Sequence, residues 1–493
     1  MNNSIIRYIL GYIIKLEGIF LLLPCIIALI YKEKQLGTYL FIAGICLLLG
    51  SLMTLKKAKN NVFYLKEGCI ATVLSWVVLS FFGALPFVLT GEIPSFTDAM
   101  FETVSGFTTT GASILSDVEA LSHTSLFWRS FTHWIGGMGV LVFLLAIIPL
   151  SGGSNMNLMR AESPGPSVGK LVPKVRYTAR ILYVIYFVLT ILELIALLLA
   201  KMPWFDALCL SIGTAGTGGF GILNTSVASY SVACQWIITI FMIIFAINFN
   251  AYYLILFGQI TKAFKMEEVR AFLTMVLTAI LLITIDIHDM FGSIFEAVTQ
   301  ASFQVASLVS STGFATADFD LWPGFSKTIL VTLMLVGACA GSTGGGIKVS
   351  RFVIIGKSIL KELHYYIHPK SVKQITMDEK EVEPHVIRSV SVYMITFMMI
   401  FVISILIIAL EEKDLVTNFT AVLATMNNIG PGLSMVGPTQ NFGHFTDLSK
   451  WVFIFDMLAG RLELFPLLIM FHPAIWKDVI VKPIRRKLKQ RHF

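Results

Sequence analysis

Charge is scarce in this sequence. Of its 493 residues only 14% are Asp, Glu, Lys or Arg, while 56% are hydrophobic. A soluble domain has about a quarter of its residues charged, so a water-facing globule is excluded and lipid is implied as the solvent. Cysteine gives no framework either. Cys25, Cys46, Cys69, Cys209, Cys234 and Cys339 sit in or at the ends of apolar runs with no CxxC pair, which fits small core residues rather than disulfides or a metal set. Catalytic signatures are missing as well: there is no HExxH, no Walker A loop, no GxSxG elbow and no paired Cys/His set. An enzyme is not expected, nor an organic cofactor. The run from Gly341 to Gly346 resembles a phosphate loop only superficially, because it lacks the Gly-Lys-Ser/Thr ending.

What the chain does have is apolar runs near or above the roughly 20 residues that span hydrocarbon. They include 9–30, 39–55, 69–89, 178–199 and 390–410. Arg7 precedes the first without a small-x-small cleavage site after it, so this run is expected to stay as a span. Basic residues cluster in alternate loops: Lys56, Lys57, Lys59 and Lys66; Arg160, Lys170, Lys174, Arg176 and Arg180; Lys262, Lys265 and Arg270; Lys357, Lys361, Lys370 and Lys373. The tail adds Lys482, Arg485, Arg486, Lys487, Lys489 and Arg491. The positive-inside rule makes all of these cytoplasmic, with both termini. The tail is read as attracted to anionic lipid, not to nucleic acid. Between Leu89 and Leu121 there are Glu92, Asp98, Glu102, Asp117 and Glu119 but no Lys or Arg, and such segments face outward.

Internal repetition organises the rest. Four outward segments carry Thr, Ser or Asn closely followed by Gly: Thr108-Thr109-Thr110-Gly111, Gly216-Thr217-Gly218-Gly219, Ser310-Ser311-Thr312-Gly313 and Asn427-Asn428-Ile429-Gly430. With Gly111, Gly218, Gly313 and Gly430 taken as equivalent, the period is roughly one hundred residues. A half-length, partly apolar segment precedes each glycine, at 96–107, 204–215, 291–310 and 415–426. Two spans separate consecutive loops, as in 232–256 followed by 271–285. All four loops therefore enter from one face, related by an axis along the membrane normal.

The fold class expected is an all-α polytopic membrane protein. It has four pseudo-repeats of span, pore helix, filter loop and span around one central pore, plus two extra N-terminal spans. The expected division is 1–66 for those two spans, 67–160, 161–265, 266–372 and 373–475 for the repeats, and 476–493 for the basic tail. Irregular backbone at membrane depth survives only where it is buried in protein or lines water, and four loops around one axis would line a path. Glycine lets the chain turn its carbonyls toward that axis. Rings of carbonyls can replace the water shell of a large monovalent cation. Threonine and serine hydroxyls add oxygens, and no carboxylate ring stands at the glycines to hold divalent ions. The short helices would aim their negative ends at the ion.

These residues resemble the TrkH/KtrB superfamily of K⁺ transporters, TrkH branch, over nearly the whole chain. Phe131-Thr132-His133-Trp134-Ile135-Gly136-Gly137-Met138-Gly139 looks like the family's first inner helix, and Ala340-Gly341-Ser342-Thr343-Gly344-Gly345-Gly346-Ile347-Lys348 like its third-repeat gate. Ala459-Gly460-Arg461-Leu462-Glu463 looks like its fourth inner helix. The resemblance implies filter positions at Thr109, Thr110, Gly111, Thr217, Gly218, Thr312, Gly313, Asn428, Ile429 and Gly430, with K⁺ as the transported ion. Gly111 in place of serine favours K⁺ over Na⁺ within the family. It also implies a homodimer, a cytoplasmic TrkA-like nucleotide-binding regulatory subunit, and the inner membrane of a bacterium.

The run Gly341, Ser342, Thr343, Gly344, Gly345, Gly346 cannot hold a regular helix firmly. Composition alone fits a flexible plug and a close helix-packing patch equally; the resemblance implies a gate. Arg461 lies in the apolar stretch 451–471, where an unpaired charge costs several kcal/mol. It is expected to face the pore as a barrier to K⁺, the alternative being an ion pair with another helix; Glu463, two residues on, is a poor partner. Lys348 fixes the closed plug or snorkels to the cytoplasmic end. His133 is read as a hydrogen-bonded packing residue. Three functions stand at this point: K⁺ uptake through a gated, channel-like pore, a K⁺ symporter coupled to H⁺ or Na⁺ with Glu463 and Asp456 as its candidate carboxylates, and a receptor or scaffold that transports nothing.

Overall fold

The computed structural model describes residues 2–56, 64–139, 175–473 and 475. Lys57, Lys59, Arg160, Lys170, Lys174 and the basic tail lie outside the described residues. Helices dominate, and among the described residues one two-stranded hairpin, Thr376–Met377 with Lys380–Glu381, is the sole sheet. Six helical segments are long and apolar enough to cross a membrane: Asn3–Tyr31, Leu36–Thr54, Leu65–Thr90, Ala179–Leu199, Glu267–Met290 and Pro384–Glu411. Their large exposed side chains, such as Phe41, Leu277 and Leu406, are apolar and suit a lipid-facing exterior.

The short helices begin where a polar side chain can satisfy the free N–H groups of a first turn. Ser95 caps Phe96–Phe107, Ser293 caps Ile294–Val309 and Asp414 caps Leu415–Met426. Trp204–Gly216 starts after Pro203 instead. Each of these four pore helices is followed by an irregular loop and then an inner helix: His123–Gly137, Val232–Ala246, Gly324–Val336 and Asp447–Arg461.

Two expected spans are broken. The stretch 232–256 divides into Val232–Ala246 and Phe249–Leu256, bent by 93°. Ile247 is extended, and Asn248 turns its side-chain oxygen onto the Asn250 N–H at 2.9 Å, starting a new helix. The backbone freed by the break pairs with the glycine-rich segment: Cys339 N–H donates to Ala246 O at 3.1 Å and Phe249 N–H to Gly341 O at 3.0 Å. The stretch 451–471 divides at Glu463 and Leu464, both with positive φ.

The two N-terminal spans pack on each other through Gly11, Gly18 and Gly50; a Cβ on Gly50 would lie 2.6 Å from Gly11 O. Their connecting turn clamps the first inner helix. Glu33 accepts from the backbone N–H of His123 (2.8 Å) and Thr124 (2.9 Å), the position a helix N-terminus favours for an anion. Burial alone would raise the Glu33 carboxyl, but the bonds from Thr124 and His123 outweigh it and hold it below the usual range.

Candidate ion pathway and gate

Each pore helix ends in the same way. The N–H groups of Thr110, Gly218, Thr312 and Ile429 donate five residues back, to Ser105 O (2.8 Å), Gly213 O (3.0 Å), Ser307 O (2.8 Å) and Ala424 O (2.9 Å). The residue before each, Thr109, Thr217, Ser311 or Asn428, is left-handed, with φ between 53° and 60°. This is the Schellman closure of a helix. A left-handed glycine follows: Gly111 (79°), Gly219 (78°), Gly313 (87°) and Gly430 (98°).

The four loops meet in a closed ring. A Cβ built on Gly111 would run into Gly218 O, on Gly219 into Thr312 O, and on Gly313 into Ile429 O; on Gly430 it would lie 2.9 Å from Thr110 O. Each glycine thus faces the next loop's carbonyl, and the chain of contacts returns to its start. The register of the second loop differs from the sequence alignment. Gly218 stands with Thr110, and the glycine equivalent to Gly111 is Gly219. Ser311, absent from the expected positions, is the structural equivalent of Thr109. The signal was present: a polar residue two before the glycine is uniform in all four loops only when Gly219 is aligned.

Gly111, Gly219, Gly313 and Gly430 line the floor of an open cavity of about 200 Å³. Behind this mouth, buried polar contacts fix the loops. Arg129 pairs with Glu102 at 2.7 Å with both side chains buried, and donates to Gly221 O at 3.2 Å. His133 takes Gly106 O at 2.8 Å on Nδ1 and accepts the Phe220 N–H on Nε2 at 3.3 Å. Those two contacts require the neutral ring with its proton on Nδ1. Asn428 joins Thr110 Oγ1 (3.0 Å) to Met457 O (2.9 Å).

Below the ring lies the segment from Gly337 to Lys348, with positive φ at Gly337, Gly341, Gly346 and Lys348. The Gly345 N–H donates to Ser311 Oγ, and a Cβ on Gly345 would strike Asn427 O. This segment therefore abuts the ring. Arg461, 8% exposed, donates to Thr343 O at 2.9 Å, to Gly137 O at 2.7 Å, and to Gly136 O. Lys348, 1% exposed, donates to Gly344 O and to Gly345 O at 3.1 Å.

The sequence profile of TrkH, described as a cation transport protein, matches residues 38–478. The chain belongs to the TrkH family. It is 35% identical over 486 residues to the Trk system potassium uptake protein TrkH of Salmonella typhimurium, covering 97% of this chain and all of that one. It is 32% identical to the Trk system potassium uptake protein TrkG of Escherichia coli K12, again covering 97% of this chain and all of that one. Its fold superposes on the crystal structure of the potassium transporter TrkH from Vibrio parahaemolyticus with a TM-score of 0.87 at 33% identity, covering 97% of this chain and all of that one.

Two acidic residues brace the irregular segment of this TrkH-family chain: Glu268, to which the sequence assigns no role, and Glu463, a candidate coupling carboxylate of the symporter alternative. Glu268 accepts the Ala340 N–H at 2.6 Å and the Ser350 N–H at 3.1 Å, so one carboxylate ties both ends of the irregular segment. Glu463 pairs with Arg351, not with Arg461. Arg351 also donates to Ile347 O at 2.6 Å and lies 3.8 Å from the centre of the Tyr393 ring. Of the eighteen residues expected to form filter and gate, ten fall in the four loops, seven in the segment 337–348, and Arg461 on the helix Asp447–Arg461. The six cysteines are free and buried.

Proposed function

We propose that this chain takes up K⁺ across the cytoplasmic membrane of a bacterium, through a gated, channel-like pore. The observation that carries the reading is the closed ring of Thr110, Gly218, Thr312 and Ile429 carbonyls, each facing the preceding loop's glycine. Uncharged oxygens from a rigid backbone can replace the hydration shell of a monovalent cation and release it again. The pore helices end at the ring, so their negative C-termini favour a cation there. Relatives named potassium uptake proteins make K⁺ the cargo of choice. No catalytic step is required.

In this reading Gly341 to Gly346 form the gate, and Lys348 and Arg461 hold it shut by donating to its carbonyls. The loops open outward, the lysine clusters lie inward, and both termini are cytoplasmic. The chain pairs with a second copy, and a TrkA-like nucleotide-binding subunit docks on the basic inner face. The domain division at 66, 160, 265, 372 and 475 follows the repeats.

A carrier coupled to H⁺ is the second reading, favoured by Asp456. This carboxylate is fully buried and holds Ser404 Oγ at 2.8 Å, while its second oxygen has no hydrogen-bond partner among the described residues. Rb⁺ tracer uptake into liposomes containing only this protein, with and without a pH gradient, separates the readings. Uptake down its own gradient at equal pH supports the channel, uptake that needs the pH gradient supports the carrier, and no uptake rejects both. Rescue of a K⁺-uptake-deficient bacterium at low K⁺, with Gly111→Ser as comparator, tests selectivity.

A further inference from the structure

Helix Val349–Ile367 leaves the plug at Lys348 and changes character along its length. Val349, Ser350, Arg351 and Ile354 are buried, whereas beyond Ser358 nearly every residue is exposed. At 3.6 residues per turn, Ile359, Leu360, Leu363 and Ile367 share one face. They are exposed, Ile367 at 71%. Lys357, Lys361 and His364 share the neighbouring face, about 100° further round the helix. A basic stripe set against an apolar stripe is the pattern of a helix at a membrane surface.

The basic stripe does not simply face water. Lys361, His364, Ser371 and Lys373 close around a pocket of about 180 Å³, with Glu362 and Tyr365 in its wall. His364 Nε2 lies 3.2 Å from Ser371 Oγ, which folds the following turn back over the helix. Lys357 is already engaged with Glu267 and Thr376 O. Lys361 and Lys373 have no carboxylate within ion-pair distance among the described residues. Two free ammonium groups, a hydroxyl and an imidazole around one small cavity suit a phosphate. The neighbouring apolar stripe selects a phosphate that carries acyl chains.

We propose that this pocket binds the phosphate of an anionic phospholipid in the leaflet on the plug side, with Ile359, Leu360, Leu363 and Ile367 bedded among acyl chains. The helix starts at the plug, so a bound lipid tethers the plug's lower end to the membrane. The site is independent of which ion the pore carries.

The test uses the full chain in detergent with a defined mixture of phosphatidylglycerol and phosphatidylethanolamine, lipids retained being counted by native mass spectrometry. Lys361→Ala/Lys373→Ala is compared with Lys262→Ala/Lys265→Ala, which removes the same charge from the exposed short helix Ile260–Lys265. The pocket variant should lose roughly tenfold or more of its phosphatidylglycerol affinity, because both its lysines contact one headgroup, and the control pair much less, because neither of its lysines lines the pocket. Equal retention by wild type and pocket variant, or equal losses in the two variants, would overturn the site. Displacement of phosphatidylglycerol by an equal concentration of inorganic phosphate would overturn the lipid assignment.

Discussion

Replacing Arg461 by alanine should open the pathway. The guanidinium sits on the first inner helix through Gly136 O and Gly137 O, and reaches the plug through Thr343 O at 2.9 Å. A hydrogen bond from a charged donor contributes about 1.5–3 kcal/mol. Losing the Thr343 bond then moves the balance of closed and open forms by roughly 10- to 150-fold. The charge acts separately: at about 6 Å and an effective dielectric near 20, it opposes a passing cation by about 3 kcal/mol. Arg461→Lys keeps the charge but not the planar fork that spans three carbonyls. In the liposome Rb⁺ assay, Arg461→Ala should raise flux by roughly tenfold or more, and Arg461→Lys by less. Wild-type flux in Arg461→Ala would refute both the latch and the barrier.

Three further tests probe the ring, the contacts behind it and the turn between the N-terminal spans. Gly219→Ala forces a Cβ onto Thr312 O at a φ of 78°; it should abolish Rb⁺ flux, whereas Gly221→Ala, whose nearest contact is 3.2 Å, should keep most of it. Removing either partner of the buried Arg129–Glu102 pair leaves an uncompensated charge at a cost of about 3–5 kcal/mol; thermal unfolding in detergent should fall sharply for Glu102→Leu and recover in part when Arg129→Leu is added. Glu33 gives a pH signature. Its carboxyl is depressed in the folded chain, so its stabilisation is complete above the unfolded value of about 4.3 and vanishes as pH falls through the lower folded value. Glu33→Gln should melt below wild type at pH 7, with the gap closing in acid; a constant gap would refute the assignment.

Much of this fold is legible in the sequence because lipid leaves few choices. Pore helices Phe96–Phe107 and Leu415–Met426 run between a capping Ser95 or Asp414 and a polar, glycine-bearing loop, so both boundaries are local signals. The break at Ile247 is not local. The run 232–256 is almost uniformly apolar, and what bends it is backbone pairing with a segment about ninety residues away; the Asn248-Phe249-Asn250 triplet is the sole clue. The loops are visible as repeated glycines, but their register depends on which glycine is left-handed, and two candidates stand side by side at 218 and 219. Glu463 was separable from Arg461 by helix geometry, yet its partner Arg351 lies over a hundred positions away. Glu17, fully buried and with neither carboxylate oxygen hydrogen-bonded among the described residues, sits inside a run read from its apolar neighbours alone.

The most direct measurement is anomalous diffraction from crystals of the protein grown in Rb⁺. A ring of four backbone oxygens predicts a Rb⁺ peak on the axis between the carbonyls of Thr110, Gly218, Thr312 and Ile429, weakened in Gly111→Ser. An empty axis with Rb⁺ bound elsewhere would contradict it.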